Sequence, residues 1–248
     1  MNDAISRDAL VHQLEALGLR AGDVVMTHAS MRKVGLVEGG GRSLLEAQLA
    51  VVGREGTLLM VLSDDEGEPF DAQKTPVDVE DMGILAEVFR TYPGVQVSDH
   101  PADWFGAIGK HAEELLKPMP LHDYHGPGSP LERLFHLGGR VLRLGANPDT
   151  VTLTHYAEYL ADVPNKIRVS RRYVRADTGE LWIESLDDTD GIADWPRGDY
   201  FSQIYLDYRA TGSVKTGSVG RCCAELIDAQ DFVSYAVRWM NRELGNAT

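Results

Sequence analysis

Only two cysteines occur in the 248 residues, and they are neighbours, Cys222 and Cys223. Adjacent cysteines rarely bridge each other, so a disulfide framework is excluded and both read as small reduced hydrophobes. No run of about 20 apolar residues exists, the length that spans a bilayer. The first 18 residues lack the basic and apolar regions of a signal peptide. The expected compartment is therefore the cytoplasm, with no membrane partner. Positive charge is scarce too, 24 Lys and Arg against 38 Asp and Glu, for a formal net charge of −14. A phosphate backbone needs a basic surface, so nucleic acid is not an expected partner, whereas a cation is. Also missing are HExxH, GxxxxGKS/T, GxSxG and paired CxxC, the sequence handles of zincins, P-loop proteins, α/β-hydrolases and zinc ribbons. His122 and His125 stand three apart in one loop without a third ligand, and no metal is expected. What remains is an ordinary globular composition, 43% hydrophobic and 25% charged, with 25 Gly and 11 Pro.

No internal repeat or linker divides the chain, so residues 1–248 are read as a single domain. Ser6 precedes a helical face of Leu10, Val11, Leu14 and Leu17, which Gly18 closes. Val24 to His28 reads as a buried strand. A glycine-rich loop, Gly35 to Gly41, leads to a helix that Ser43 is expected to cap, and Thr57 to Leu62 is the next strand. This strand, loop, helix, strand rhythm predicts an α/β fold with a central mixed sheet flanked by helices. A helix is expected over Ile84 to Arg90, a strand near Val95 to Val97, and a helix over Gly106 to Leu116. The loop from His122 to Ser129 precedes the helix PLERLFHL. A strand at Val141 to Leu144 and a turn at Asn147 to Asp149 lead into a helix over Thr152 to Leu160. Residues 167–187 alternate around Asp177-Thr178-Gly179 and read as a β-hairpin insertion. C-terminal helices follow at about 200–210 and 229–244.

Several segments carry a more specific signal. They are Thr27 to Gly35 (THASMRKVG), Glu68 to Asp71 with Thr75-Pro76, Met82 to Glu87, Ser98 to Pro101, Gly128 to Leu131, Leu144 to Ala146, and Thr152 to Glu158 (TLTHYAE). Tyr200-Phe201 and Gly217 to Gly220 complete the set. In this order and spacing, over about residues 8 to 244, the chain resembles the aminoglycoside 3-N-acetyltransferases of the antibiotic N-acetyltransferase family, which is unrelated to the GNAT fold. The resemblance implies acetyl transfer from acetyl-CoA, as co-substrate, to the 3-amino group of a 2-deoxystreptamine aminoglycoside, and so antibiotic resistance. It leaves the active unit as monomer or homodimer.

Such chemistry needs a base, because an ammonium group is not a nucleophile. Histidine suits this near neutral pH, best with a carboxylate on its second ring nitrogen. His155 is the candidate, at a helix start after the strand ending at Leu144, and the TLxHxAE context of the family supports it. Asp188 best matches the orienting acid of relatives, with Asp187 and Asp190 as neighbours in the same loop. Glu158 lies at i+3 from His155 on one helix face and is a second carboxylate for the site.

The family's H-[SA]-S motif places His28 in the cleft, near the thioester or acceptor amine, with Ser30 beside it. Met31, Arg32, Lys33, Val34 and Gly35, with the glycine loop to Ser43, are expected to wrap the CoA pantetheine and pyrophosphate. Ser98, His100 and Ser129 are further cofactor-site candidates. Acids crowd two loops: Asp64, Asp65, Glu66, Glu68 and Asp71 in the first, and Asp187, Asp188, Asp190, Asp194 and Asp199 in the second. Of these Asp64, Glu68, Asp71, Asp187 and Asp190, with Thr152, are expected to hold the cationic acceptor. Two alternatives stand beside this reading. One is a CoA-dependent acyltransferase acting on a different amine, and the other is a non-catalytic binder of cationic aminosugars.

Overall fold

The computed structural model describes residues 4–63 and 69–245. Its centre is a seven-stranded sheet in the order β3-β4-β2-β1-β5-β9-β8. The middle strands β1 (Val24–Ala29), β2 (Thr57–Leu62) and β5 (Arg140–Leu144) run parallel. β3 (Gln96–Val97) and β4 (Trp104–Gly109) join one edge antiparallel, and β9 (Cys222–Asp228) and β8 (Lys215–Val219) the other. The sheet is thus mixed, as the sequence predicts.

Strand alternation divides the core between two faces. Val24 and Met26 of β1 and Val141 of β5 enter one cluster, packed by α7 (Leu153–Leu160), α8 (Tyr200–Ala210) and α9 (Ala229–Glu243). Val25, Leu142 and Leu144 enter the other, packed by α1 (Arg7–Leu17), α3 (Gly40–Val52) and α4 (Ile84–Arg90). Because β1 is buried on both faces, its sequence VVMTHA is almost continuously apolar until Thr27 and His28. Helix α1 has the expected ends: the Ser6 side chain accepts from Ala9 N–H at 3.2 Å, and Gly18 is left-handed at φ 107°.

The hairpin also forms as expected, from β6 (Arg168–Arg175) and β7 (Gly179–Leu186), as a separate two-stranded sheet. Two expectations need correction. Gly106 to Leu116 is not one helix. Trp104–Gly109 is β4, with Phe105 and Ala107 facing one core and Trp104 the other, and only Ala112–Leu115 (α5) is helical. A short apolar run fits a strand or a helix equally well, and pairing of Leu59 with Ala107 decides it. Ser43 does not cap α3. The helix begins a turn earlier behind Gly39, at φ 75°, and the Ser43 hydroxyl occupies the space where a Cβ on Gly39 would sit. The edge pair β8 and β9 has no counterpart in the sequence reading. It places Cys222 inside and Cys223 outside, as alternation in β9 requires. Among the described residues no helix is long and apolar enough to cross a membrane.

Candidate active site

The parallel strands end on one side of the sheet, where α/β folds place their clefts. His155 sits there on the first turns of α7, whose Leu153, Tyr156 and Ala157 anchor the helix in the core. Its Nδ1 faces the Glu158 carboxylate at 3.0 Å. A carboxylate accepts, so Nδ1 carries the proton and the lone pair of the neutral ring lies on Nε2. Glu158 is 1% exposed and its other oxygen accepts from the Tyr200 hydroxyl, which in turn accepts from Ile192 N–H at 2.8 Å. His155 is stacked on His125, centroids 4.8 Å apart and rings 12° from parallel, with Phe201 on another side at 5.1 Å. Burial works against the imidazolium, but the Glu158 hydrogen bond and the charges of Glu158, Asp188 and Asp103 outweigh it. The basicity of His155 is raised.

Asp188 corrects the expectation placed on it. The carboxylate on His155 Nδ1 is Glu158, because i and i+3 meet on one helix face. Asp188 binds the Arg171 guanidinium and the Tyr124 hydroxyl, and lies 3.8 Å from His125 Nδ1. Burial pushes its carboxyl up, yet His125, His155, Tyr124 and Arg171 hold it down at about 2. His125 Nε2 meets Asp103, whose carboxyl burial pushes up. His122 stands apart from this group and accepts from Glu184 N–H at 3.1 Å.

Three connected hollows meet beside His155. One of about 740 Å³ is lined by His155, Asp188, Asp190, Asp194, Trp195 and Phe201, with Asp81 and Asp149 at its walls. A second of about 550 Å³ extends towards Asp103, Tyr124, His125 and Arg171 and shares His155, Asp188 and Thr152. The third, a groove of about 270 Å³, runs past His28, Ser30, Arg32, Lys33 and Gly145 and shares Asp81, Met82 and Thr152 with both. Thr152 is thus at the junction. Lys33 reaches across the groove to Asn147 Oδ1 at 2.9 Å.

Several expected residues lie elsewhere. Met31 and Val34 turn into the sheet core, since the four-residue helix α2 (Met31–Val34) buries that side. Gly35, at φ 94°, makes the turn after it, against Arg221. Ser43 is outside the groove lining, within α3. Ser98 accepts from Phe105 N–H, and Ser129 caps α6 (Pro130–His136) through Glu132 N–H. His100 donates from Nε2 to Leu121 C=O and accepts at Nδ1 from Ala102 and Asp103 N–H. All three are buried and used internally, so none faces the groove. Asp71 is tied to Lys74 and Gln73 beside the hairpin, in a different hollow. Asp187 is buried beneath Arg171 and accepts from Thr189 and Asp190 N–H, which shapes the loop without lining the cleft. Asp64 and Glu68 lie outside the described residues.

Sequence reasoning missed Arg143. It is 1% exposed, pairs with Glu225, stacks at 3.7 Å on Tyr205, and donates to the carbonyls of Asn147 and Thr150. It therefore holds from below the loop that walls two of the hollows. An arginine amid Val141-Leu142 and Leu144 is the signal that was present.

The family model described as aminoglycoside 3-N-acetyltransferase matches residues 26–241. The chain belongs to this family. The aminoglycoside N(3)-acetyltransferase VII of Streptomyces paromomycinus is 37% identical over 268 residues, 97% of this chain and 93% of that one. Among solved structures, AAC-IIIb in binary complex with CoASH superimposes with a TM-score of 0.93 at 33% identity, covering 99% and 100% of the two chains. AAC-VIa bound to sisomicin gives 0.89 at 34% identity, covering 97% and 98%. By family the chain is an aminoglycoside N(3)-acetyltransferase, and the resemblance read from its motifs holds.

Proposed function

We propose that the chain acetylates the 3-amino group of 2-deoxystreptamine aminoglycosides from acetyl-CoA, with His155 as general base and Glu158 as its orienting carboxylate, and so confers resistance. The observation that carries the reading is the His155–Glu158 pair at the meeting point of an acidic cleft and a separate groove. Acetyl-CoA supplies an acyl carbon activated by its thioester. The groove fits such a molecule: Arg32 and Lys33 offer cations for phosphates, and the buried His28 Nε2 has no hydrogen-bond partner.

His155 Nε2 takes the proton of the acceptor amine as its nitrogen bonds the acyl carbon. His155 then returns that proton to sulfur as the carbon–sulfur bond breaks, so the products are an amide and the free thiol. Glu158 keeps the lone pair on Nε2 and stabilises the transient imidazolium. Asp81, Asp149, Asp190 and Asp194 are exposed in or beside the larger cleft, with Trp195 and Phe201, and suit a polycationic sugar. A thiol-release assay against a deoxystreptamine aminoglycoside and a plain polyamine, with the product mapped by NMR, tests the reading. Release only with the aminoglycoside and acetylation at N3 are expected. Release with the polyamine alone assigns the chain a different amine.

A further inference from the structure

We propose that Tyr200 is a positioning residue, whose hydroxyl ties the loop facing the acceptor to the Glu158–His155 pair. The proposal rests on the acetyl-transfer reading above. The start of α8 is set locally: Asp199 is its N-cap and accepts from Phe201 and Ser202 N–H, at 2.9 and 3.1 Å. Tyr200, the first residue of the helix, points inwards, 2% exposed, with its ring stacked on Phe201 at 4.7 Å. The two rings hold both members of the pair. Phe201 flanks His155, and the Tyr200 hydroxyl donates to the Glu158 oxygen that His155 does not use. With a donor on each oxygen the buried carboxylate is satisfied and fixed in plane, and with it the direction of the His155 ring.

The other partner of the hydroxyl belongs to the acceptor loop. It accepts from Ile192 N–H at 2.8 Å, and the Ile192 carbonyl accepts from Ile167 N–H at 2.8 Å, just ahead of β6. Around Ile192 the loop divides by side: Gly191 and Ile192 are buried against Tyr200, while Asp190, Asp194 and Trp195 line the larger cleft. Gly191 is left-handed at φ 91°, and a Cβ there would overlap the Tyr200 hydroxyl. Burial, and then the charge of Glu158, push the phenol up, so it keeps its proton and donates throughout the working range. The other charged groups around the phenol and the carboxylate are His155, Asp187 and Lys166. A displacement of the loop therefore reaches the base through one oxygen atom.

Tyr200→Phe tests this, because it keeps the ring and removes the hydroxyl. The carboxylate then pulls harder on the Nδ1 proton, and His155 holds the proton of the amine too tightly to return it quickly to sulfur. The expected result is a kcat about fivefold lower and an acid limb of kcat/KM moved to higher pH. Aminoglycoside KM rises and acetyl-CoA KM stays. In a Glu158→Gln background the same change should cost less than about twofold in kcat, because residues that act through each other are not additive. Gly191→Ala, made in the loop, should copy the limb shift by displacing the hydroxyl. NMR titration of isotope-labelled histidine reads that shift on His155 without turnover. An unmoved His155 titration, additive losses in the double variant, or a rise in both KM values overturns the proposal. Should Tyr200→Phe fail to fold, Gly191→Ala with the same titration decides. A moved His155 titration in a protein that leaves aminoglycosides unacetylated refutes the acceptor reading and not this one.

Discussion

Replacing Glu158 by glutamine removes one charge from the site and turns an amide NH2 towards the Tyr200 hydroxyl, which donates to the carboxylate. The side chain is 1% exposed, so the shape of its pocket matters, and glutamine keeps both the volume and an acceptor oxygen for His155 Nδ1. The hydrogen bond that loses its charge is 3.0 Å long. Bonds to a charged partner contribute about 1.5–3 kcal/mol against about 0.5–1.5 for neutral ones, so about 1–1.5 kcal/mol is lost and kcat should fall about 5- to 10-fold. The sign on pH follows from the cause. Glu158 raises the basicity of His155, so without it the acid limb of kcat/KM moves to lower pH while the plateau drops. Stability changes in the same direction as the linkage requires. A histidine with a raised value stabilises the fold below its unfolded value, near 6.5, and loses that contribution as pH rises through the folded value. The variant should lack this acid-side stabilisation. Steady-state kinetics across pH 5–9, with acetyl-CoA saturating, is the assay. An unchanged plateau, or an acid limb that moves to higher pH, would show that Glu158 does not set the basicity of His155.

Other outcomes follow from buried charge and from the cleft. His28 and His100 are held at about 3 and about 4, each by burial first, so the unfolded chain binds protons the fold does not. Each should remove about 2 kcal/mol of stability between pH 6.5 and 5, seen as a falling denaturant midpoint whose slope is shallower in His28→Leu. Asp188, held at about 2, has the opposite linkage: its stabilisation is present above about 3.8 and is lost only as pH falls towards 2. Arg143→Met removes a buried cation from Glu225, with Arg209 still at 3.3 Å, and should cost about 3 kcal/mol, the lower end for breaking a buried pair. A loss under about 1 kcal/mol in chemical denaturation would contradict that pairing. Finally, kcat/KM for an aminoglycoside should fall as salt rises from low to about 0.5 M, because the Debye length shrinks to a few Å. Asp190→Asn with Asp194→Asn should flatten that slope, and equal slopes would place the acceptor elsewhere.

The sequence was most informative where structure is local. His155 and Glu158 are one helical turn apart, so their meeting follows from helix geometry alone. The hairpin turn and the caps at Ser6 and Gly18 are equally local. The rest of the site depends on distant partners. Asp103 meets His125 across 22 positions and Tyr124 meets Asp188 across 64, and no periodicity reports such pairs. Asp188 drew the wrong partner for this reason: it belongs to the His125 side of the stacked rings. Ser98, His100 and Ser129 lie in segments that resemble the family's and hold buried backbone groups, and a sequence does not distinguish that use from cofactor binding. Residues 106–109, the second half of the strand Trp104–Gly109, read as the start of a helix in the sequence, because only cross-strand register with β2 specifies the strand.

His155→Ala removes the proposed general base outright. In a folded variant that still binds CoA, thiol release with an aminoglycoside should fall by the 10²–10⁴ typical of losing a general base, and the acid limb of kcat/KM should disappear. A folded His155→Ala protein with near-normal turnover and an intact acid limb would show that His155 is not the base.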